Sequence, residues 1–337
     1  MTGMTRRGAL GALGAAGATA AIGAPALARS RTTIGALRFT SHAASFVAHE
    51  RGYFADEGLE TEFAFFQAAQ PMAVAIASRD ADFGVTAITG GLISLAEKGA
   101  AKVIGGALSE EPGIDGQKIL ASGAAHEDGL TSPAGLDGRS FAVTQPGSSF
   151  HYMGAKIAEA EGVAPVFRPL QKVGAIIGAL KSGQVDAWSI VPHIAKPLAA
   201  SGAATIIGDV ADYLPNYQVT TVFTSADTAS GDRARAEAFL RAFSRGAADF
   251  NAALVDRTAG ADAAEEMVRL IHGYVYTDRP YEKAKPSIVN GAMRINEGAA
   301  LDMASVEDQL RWFQSEGLID PSIAVGTLVD DSYVETV

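Results

Sequence analysis

Short apolar runs alternate with helix-period stretches along most of this chain. "TTIGALRF" (32–39) reads as a strand, "AASFVAHERGYFADEG" (43–58) as a helix with its glycine stop, and "LETEFAFF" (59–66) as a second strand. "PMAVAIASRD" (71–80) predicts a helix, "ADFGVTA" (81–87) a strand, "GGLISLAEKG" (90–99) a helix and "AKVIGGAL" (101–108) a strand. Helices alternating with short, nearly continuous apolar strands predict an α/β fold whose mostly parallel sheets are covered on both faces.

The pattern repeats. At a constant offset of 104 residues, "FTSHAASF" (39–46) lies over "VTQPGSSF" (143–150), so that Thr40 meets Thr144, Ser45 meets Ser149 and Phe46 meets Phe150. The same offset aligns Glu57-Gly58 with Glu161-Gly162, Gln67 with Gln171, Ser78 with Ser182 and Asp82 with Asp186. One register kept through loop, helix stop, strand and turn predicts two copies of one α/β unit, hence two similar lobes.

In both copies small polar residues follow the first strand and precede a helix: Ser41, His42 and Ser45 in one, Ser148 and Ser149 in the other. Ligands of open α/β sheets collect outside the carboxyl ends of the strands. Free amides and the positive end of the helix dipole favour a negative group there. Gly147 permits a sharp turn, and a Ser148 or Ser149 hydroxyl can cap the following helix. Two such loops facing one another predict a cleft that closes on a small anion. The segment "GSSFH" lacks the G-x-S-x-G elbow of a serine nucleophile.

Composition narrows the partners. The chain has 337 residues, enough for two core-bearing lobes, and a formal net charge of -11 that argues against nucleic acid. It has no cysteine, which excludes disulfides, thiolate metal sites and thiol catalysis. Residues 1–28 carry Arg6-Arg7, an uncharged Gly/Ala-rich middle and Ala26-Leu27-Ala28, and read as a twin-arginine-like export signal. A soluble periplasmic protein without a lipid anchor is expected.

The ordered set "FVAHERGYFADEGLETEFAFF", "AVAIASRDADFGVTA", "LAEKGAAKVIGGAL", "SPAGLDGRSFAVTQPGSSFH" and "ALKSGQVDAW" resembles the periplasmic substrate-binding proteins of ABC importers. Within them it is similar to the nitrate/taurine/alkanesulfonate family, which includes the thiamine-pyrimidine precursor proteins. The resemblance implies a type II two-lobed periplasmic-binding-protein fold. Its lobes would be 31–114 plus 219–337 and 116–217, with hinge strands near 117–122 and 218–223. It also implies an inner-membrane permease as partner, ligand bound between the lobes, no cofactor, no metal and no catalysis. A monomer is expected, since one cleft per chain needs no second subunit.

Candidate ligand-binding residues are Ser41, His42, Gln67, Thr86, Ser148, Ser149, Phe150, His151, Trp188, His193 and Tyr217. The histidines can donate to an anion or accept from a hydroxyl, and nothing in their spacing specifies a metal. Trp188 matches a tryptophan of the alkanesulfonate-type members and could pack an alkyl chain or a ring, or simply the core. Asp82 and Asp186 read as turn-fixing. The cationic candidates near the predicted cleft, Arg38 and Arg168, are poorly placed for a clamp. A monoanion with an apolar or aromatic body is therefore expected, a carboxylate or sulfonate. The alternatives are a same-fold enzyme of the pyrimidine-precursor or menaquinone type, and a periplasmic ligand sensor. The absence of cysteine and the export signal weigh against the enzymes.

Overall fold

In the computed structural model the described residues are 31–337, so the expected export signal lies outside them. The chain opens with β1 (Thr32–Ala36), α1 (Ala43–Glu50), the short α2 (Tyr53–Asp56) and β2 (Thr61–Phe65). Then come α3 (Ala69–Ala77), β3 (Phe83–Thr86), α4 (Gly90–Glu97) and β4 (Lys102–Gly106). A second run follows: β5 (Lys118–Ser122), α5 (Gly123–Glu127), β6 (Ser140–Val143), α6 (Ser149–Glu161), β7 (Val166–Pro169), α7 (Val173–Lys181), β8 (Ala187–Ile190), α8 (Pro192–Ala200) and β9 (Ala204–Asp209). β10 (Thr221–Thr224) then precedes a mainly helical end: α9 (Ala226–Gly231), α10 (Arg233–Phe250), α11 (Ala261–His272), α12 (Tyr281–Val289), α13 (Met303–Ser315) and α14 (Val325–Leu328).

Two five-stranded sheets result, ordered β2-β1-β3-β10-β4 and β7-β6-β8-β5-β9. The order is the same in both once β6 is matched to β1 and β5 to β10, which is the three-dimensional form of the sequence repeat. The 104-residue offset carries α3 onto α7 and β3 onto β8 residue for residue. It fails by three residues in the first strand, where Ala36 pairs with Phe65 but Val143 pairs with Pro169. The aspartates anchor that strand in both copies. Asp82 accepts from the Thr33 N–H at 2.8 Å, and Asp186 from the Ser140 N–H at 2.8 Å.

The sheets are mostly parallel, as expected, with one reversed strand in each. β1 is parallel to β2 and β3, and β6 to β7 and β8, but β10 and β5 run antiparallel to both of their neighbours. Each of these strands enters its sheet directly from the other one, without a helical crossover to restore its direction. The expected hinge at 117–122 is largely β5, a strand of the second sheet. The chain passes between sheets at 107–110 and 217–220, which lie side by side through Ala107 N–H to Thr220 O at 3.0 Å and Glu110 N–H to Tyr217 O at 2.9 Å.

The core follows from the amphipathic pattern. Along α10, Ala236, Phe239, Leu240, Phe243, Ala247 and Phe250 recur at helical spacing and are all buried. Phe239 stacks on Phe83 of β3 with ring centroids 4.0 Å apart, and on Phe54 at 5.1 Å. Truncating such a ring to alanine costs about 3–5 kcal/mol.

Candidate functional site

The ends of β1 and β3 in the first sheet and of β6 and β8 in the second face a common cavity of about 60 Å³. Ser41 and His42 line it from the first copy of the repeat, Ser148 and Ser149 from the second. Thr86, Thr144 and Thr220 add hydroxyls, Gln117 an amide, and Phe39, Phe150, Leu37 and Val191 an apolar wall. A water needs at least about 10–15 Å³ of such space, so the cavity holds roughly four to six water-sized groups. It is closed in by contacts between the two halves. Gly90 N–H donates to Gly147 O at 2.9 Å, Tyr276 OH to His193 O at 2.6 Å and Tyr152 OH to Asp308 at 2.6 Å. Gly147 sits at φ +73°, in the left-handed region, with a Cβ position 3.7 Å from the Gly90 nitrogen.

The electrostatics of this wall are unusual. Five helices begin on it: α1 beside Ser41 and His42, α3 at Ala68 and Ala69, α6 at Ser148 and Ser149, α7 at Val173 and α8 at Val191. Four of them, α1, α3, α7 and α8, have no side-chain cap. In α6, Ser148 Oγ accepts from the His151 N–H at 3.4 Å. Each helix start presents up to half a positive charge. Among the described residues, no aspartate, glutamate, lysine or arginine lines the cavity.

His42 is buried, and burial drives its pKa down to about 3, so it is neutral. The Leu37 N–H points at its Nδ1 at 3.5 Å, which leaves the ring proton on Nε2 as a donor. His193 is likewise pushed down to about 3, by burial foremost, with His42 and Arg279 adding. Tyr276 OH spends its proton on the His193 carbonyl, so His193 Nδ1 donates back to the phenol at 2.9 Å. His193 Nε2 is then a buried acceptor without a partner.

Six sequence candidates, Ser41, His42, Thr86, Ser148, Ser149 and Phe150, line the cavity; the others do not. Gln67 is exposed at the end of β2. His151 turns its Nδ1 to the Gly147 N–H at 3.2 Å and packs edge-on against Phe167 and Trp312. Trp188 is fully buried behind Phe150, 5.4 Å away by ring centroids, because its place in mid-strand directs it into the core. His193 lies behind Phe39 at 5.1 Å, and Tyr217 is buried against Tyr152. Arg38 stacks on Phe65 and donates to the Tyr274 carbonyl, away from the cavity. Gln117, Thr144 and Thr220 were missed. Thr144 was legible, since the repeat aligns it with Thr40, whereas Gln117 and Thr220 reach the cavity only through the pairing of the crossing segments.

Two α/β sheets with facing helix starts around a common cavity define the periplasmic-binding-protein fold. The comparisons agree. The chain belongs to the family described as NMT1/THI5 like, whose pattern matches residues 39–253, more than half its length. None of the curated proteins compared matches it. Among solved structures it is similar to the ligand-binding component of an ABC-type import system from Staphylococcus aureus, solved with zinc bound, at TM-score 0.71 and 13% identity over 90% of this chain and 98% of that one. It is also similar to the alkanesulfonate-binding protein SsuA from Xanthomonas axonopodis pv. citri bound to MOPS, at TM-score 0.70 and 16% identity over 90% and 98%. The desulfurization enzyme DSZB shares the fold at TM-score 0.58 and 14% identity over 90% and 97%. Among the described residues no helix is long and apolar enough to cross a membrane, and no group of three or more His, Cys, Asp or Glu is arranged to hold a metal ion.

Proposed function

We propose that this protein is a periplasmic solute-binding protein. It captures one small organic anion, a carboxylate or sulfonate, and delivers it to the permease of an ABC importer. The carrying observation is the convergence of five helix starts and several hydroxyls on a cavity whose wall, among the described residues, has no charged side chain. Such a wall suits a monoanion, which dipoles and neutral donors can solvate. A dianion loses more hydration than they return without a cation beside it.

Under this reading, 31–114 plus 219–337 form one lobe and 116–217 the other, and closure brings both sets of donors onto the ligand. The same-fold enzyme is the second reading, favoured only by the likeness to DSZB. It finds little support in a cavity whose histidine is held neutral by burial and has no carboxylate beside it.

Calorimetric titration of the purified protein with short carboxylates and sulfonates tests the binding reading. One-to-one binding is expected, with a thermal midpoint that climbs as ligand is added. A ligand at 100 times its Kd stabilises by about 2.7 kcal/mol. Absence of heat and of any midpoint shift across the series at millimolar ligand overturns the reading.

A further inference from the structure

We propose that the cavity limits the length of its ligand to a carboxylate of about two to four carbons, or a sulfonate of about one or two, and that Phe39 and Phe150 are the walls that impose the limit. This rests on the anion reading above and names the class of anion, which is short and alkyl, without a ring.

The volume decides the count. A cavity of about 60 Å³ admits at most roughly four to six non-hydrogen groups. A carboxylate spends three of them on its carbon and two oxygens, and a sulfonate spends four. Roughly one to three carbons then remain beside a carboxylate, and about two at most beside a sulfonate. Benzoate, with its six-membered ring, exceeds the space. The carbons that remain meet Leu37, Phe39, Phe150, Val173, Ile190 and Val191 instead of water. Burial of alkyl carbon against such side chains is favourable, so the longest chain that fits binds best.

The two aromatic walls are backed by packed side chains. Phe150 stands edge-on to Trp188, 5.4 Å away by ring centroids, and Trp188 is fully buried. Phe39 stands edge-on to His193 at 5.1 Å and to His42 at 6.0 Å, and both histidines are buried. Tyr276 holds His193 in turn, through contacts of 2.6 and 2.9 Å. In a close-packed interior even one extra methylene is felt, so neither ring can retreat to admit a longer chain without strain behind it. A ligand too long for the space has instead to part contacts between the two halves, such as Gly90 N–H to Gly147 O at 2.9 Å.

The test is calorimetric titration of the full chain, in a buffer free of small organic anions, with two series. One is formate, acetate, propionate, butyrate, hexanoate, octanoate and benzoate; the other is methanesulfonate, ethanesulfonate, butanesulfonate and MOPS. Within the carboxylates, affinity should rise about fourfold per methylene up to propionate or butyrate, then fall at least about tenfold by hexanoate. Methanesulfonate or ethanesulfonate should lead the sulfonates, with MOPS at least about tenfold weaker. Phe150→Ala opens the wall and should move the optimum to hexanoate or beyond, and Phe150→Leu should move it less far. Affinity that keeps rising through octanoate, or benzoate that matches butyrate, overturns the limit and leaves the anion reading standing. Affinity indifferent to chain length throughout overturns it as well. An optimum unmoved in both Phe150 variants overturns the part given to that ring. No binding by any member overturns the anion reading and this inference with it. Should Phe150→Ala fail to fold, the wild-type series and Phe150→Leu decide.

Discussion

Replacing Glu110 by glutamine isolates a single buried carboxyl between the two sheets. Its pKa is raised from 4.5 to about 7, by burial first; the Gln117 hydrogen bonds and the nearby Lys118 pull it down, and Asp209 pushes it up. A raised folded-state pKa means that the folded protein binds more protons than the unfolded chain between these values. The stabilising effect is therefore complete below about pH 4.5 and is lost as pH rises through about 7. The shift corresponds to about 3 kcal/mol, a penalty on the folded protein that is felt in full only above neutrality. In Glu110→Gln the amide oxygen can still accept from the Gln117 N–H, and nothing at that position titrates. The wild-type curve alone does not display the effect, because His42 and His193 pull the other way. Their folded pKa values, about 3, lie below the ordinary 6.5, so their contribution is present above pH 6.5 and lost as pH falls. Urea denaturation of both proteins from pH 4 to pH 9 gives the difference curve. The wild type should lose about 3 kcal/mol relative to Glu110→Gln between pH 4.5 and 8, with flat ends. A difference curve that is flat throughout refutes the placement of Glu110 as a desolvated, half-satisfied carboxyl.

Tyr276→Phe removes the phenol that joins His193 to the first half and leaves two buried polar groups of His193 unpaired. Ligand affinity should fall by about tenfold, chiefly through faster release, as read by stopped-flow. Ser148→Ala removes the α6 cap, whose bond is long at 3.4 Å, so stability should drop by only about 0.5–1 kcal/mol while binding weakens more; parallel denaturation and calorimetry separate the two. Gly147→Ala forces a side chain into φ +73° and should cost roughly 1 kcal/mol in a denaturant melt. Trp188 is sealed behind Phe150, so an aqueous quencher such as iodide should leave its emission largely untouched with or without ligand; strong quenching of Trp188 in a Trp312→Phe background contradicts that burial.

Much of the fold was legible along the chain because local order and pairing carry it. The alternation of apolar strands and helices gave the α/β class. The 104-residue echo gave two equivalent sheets, since the same pattern of turn, strand and helix residues must build the same unit twice. The loops carrying Ser41 with His42 and Ser148 with Ser149 were readable for the same reason: they follow the first strand of each copy, where helix starts gather. What the chain concealed is non-local. The antiparallel insertion of β5 and β10 depends on strands crossing between sheets, which no periodicity reports. The side-chain directions of His151, Trp188 and His193 depend on which neighbour fills the space beside them. Glu110 and Tyr217 are distant along the chain but adjacent in space, because two crossing segments pair there. Sequence by itself determined the units and their helix-start loops, since those rest on propensity and spacing. Only the tertiary structure decided which polar atoms are left buried without partners, since that is a property of how the two halves meet.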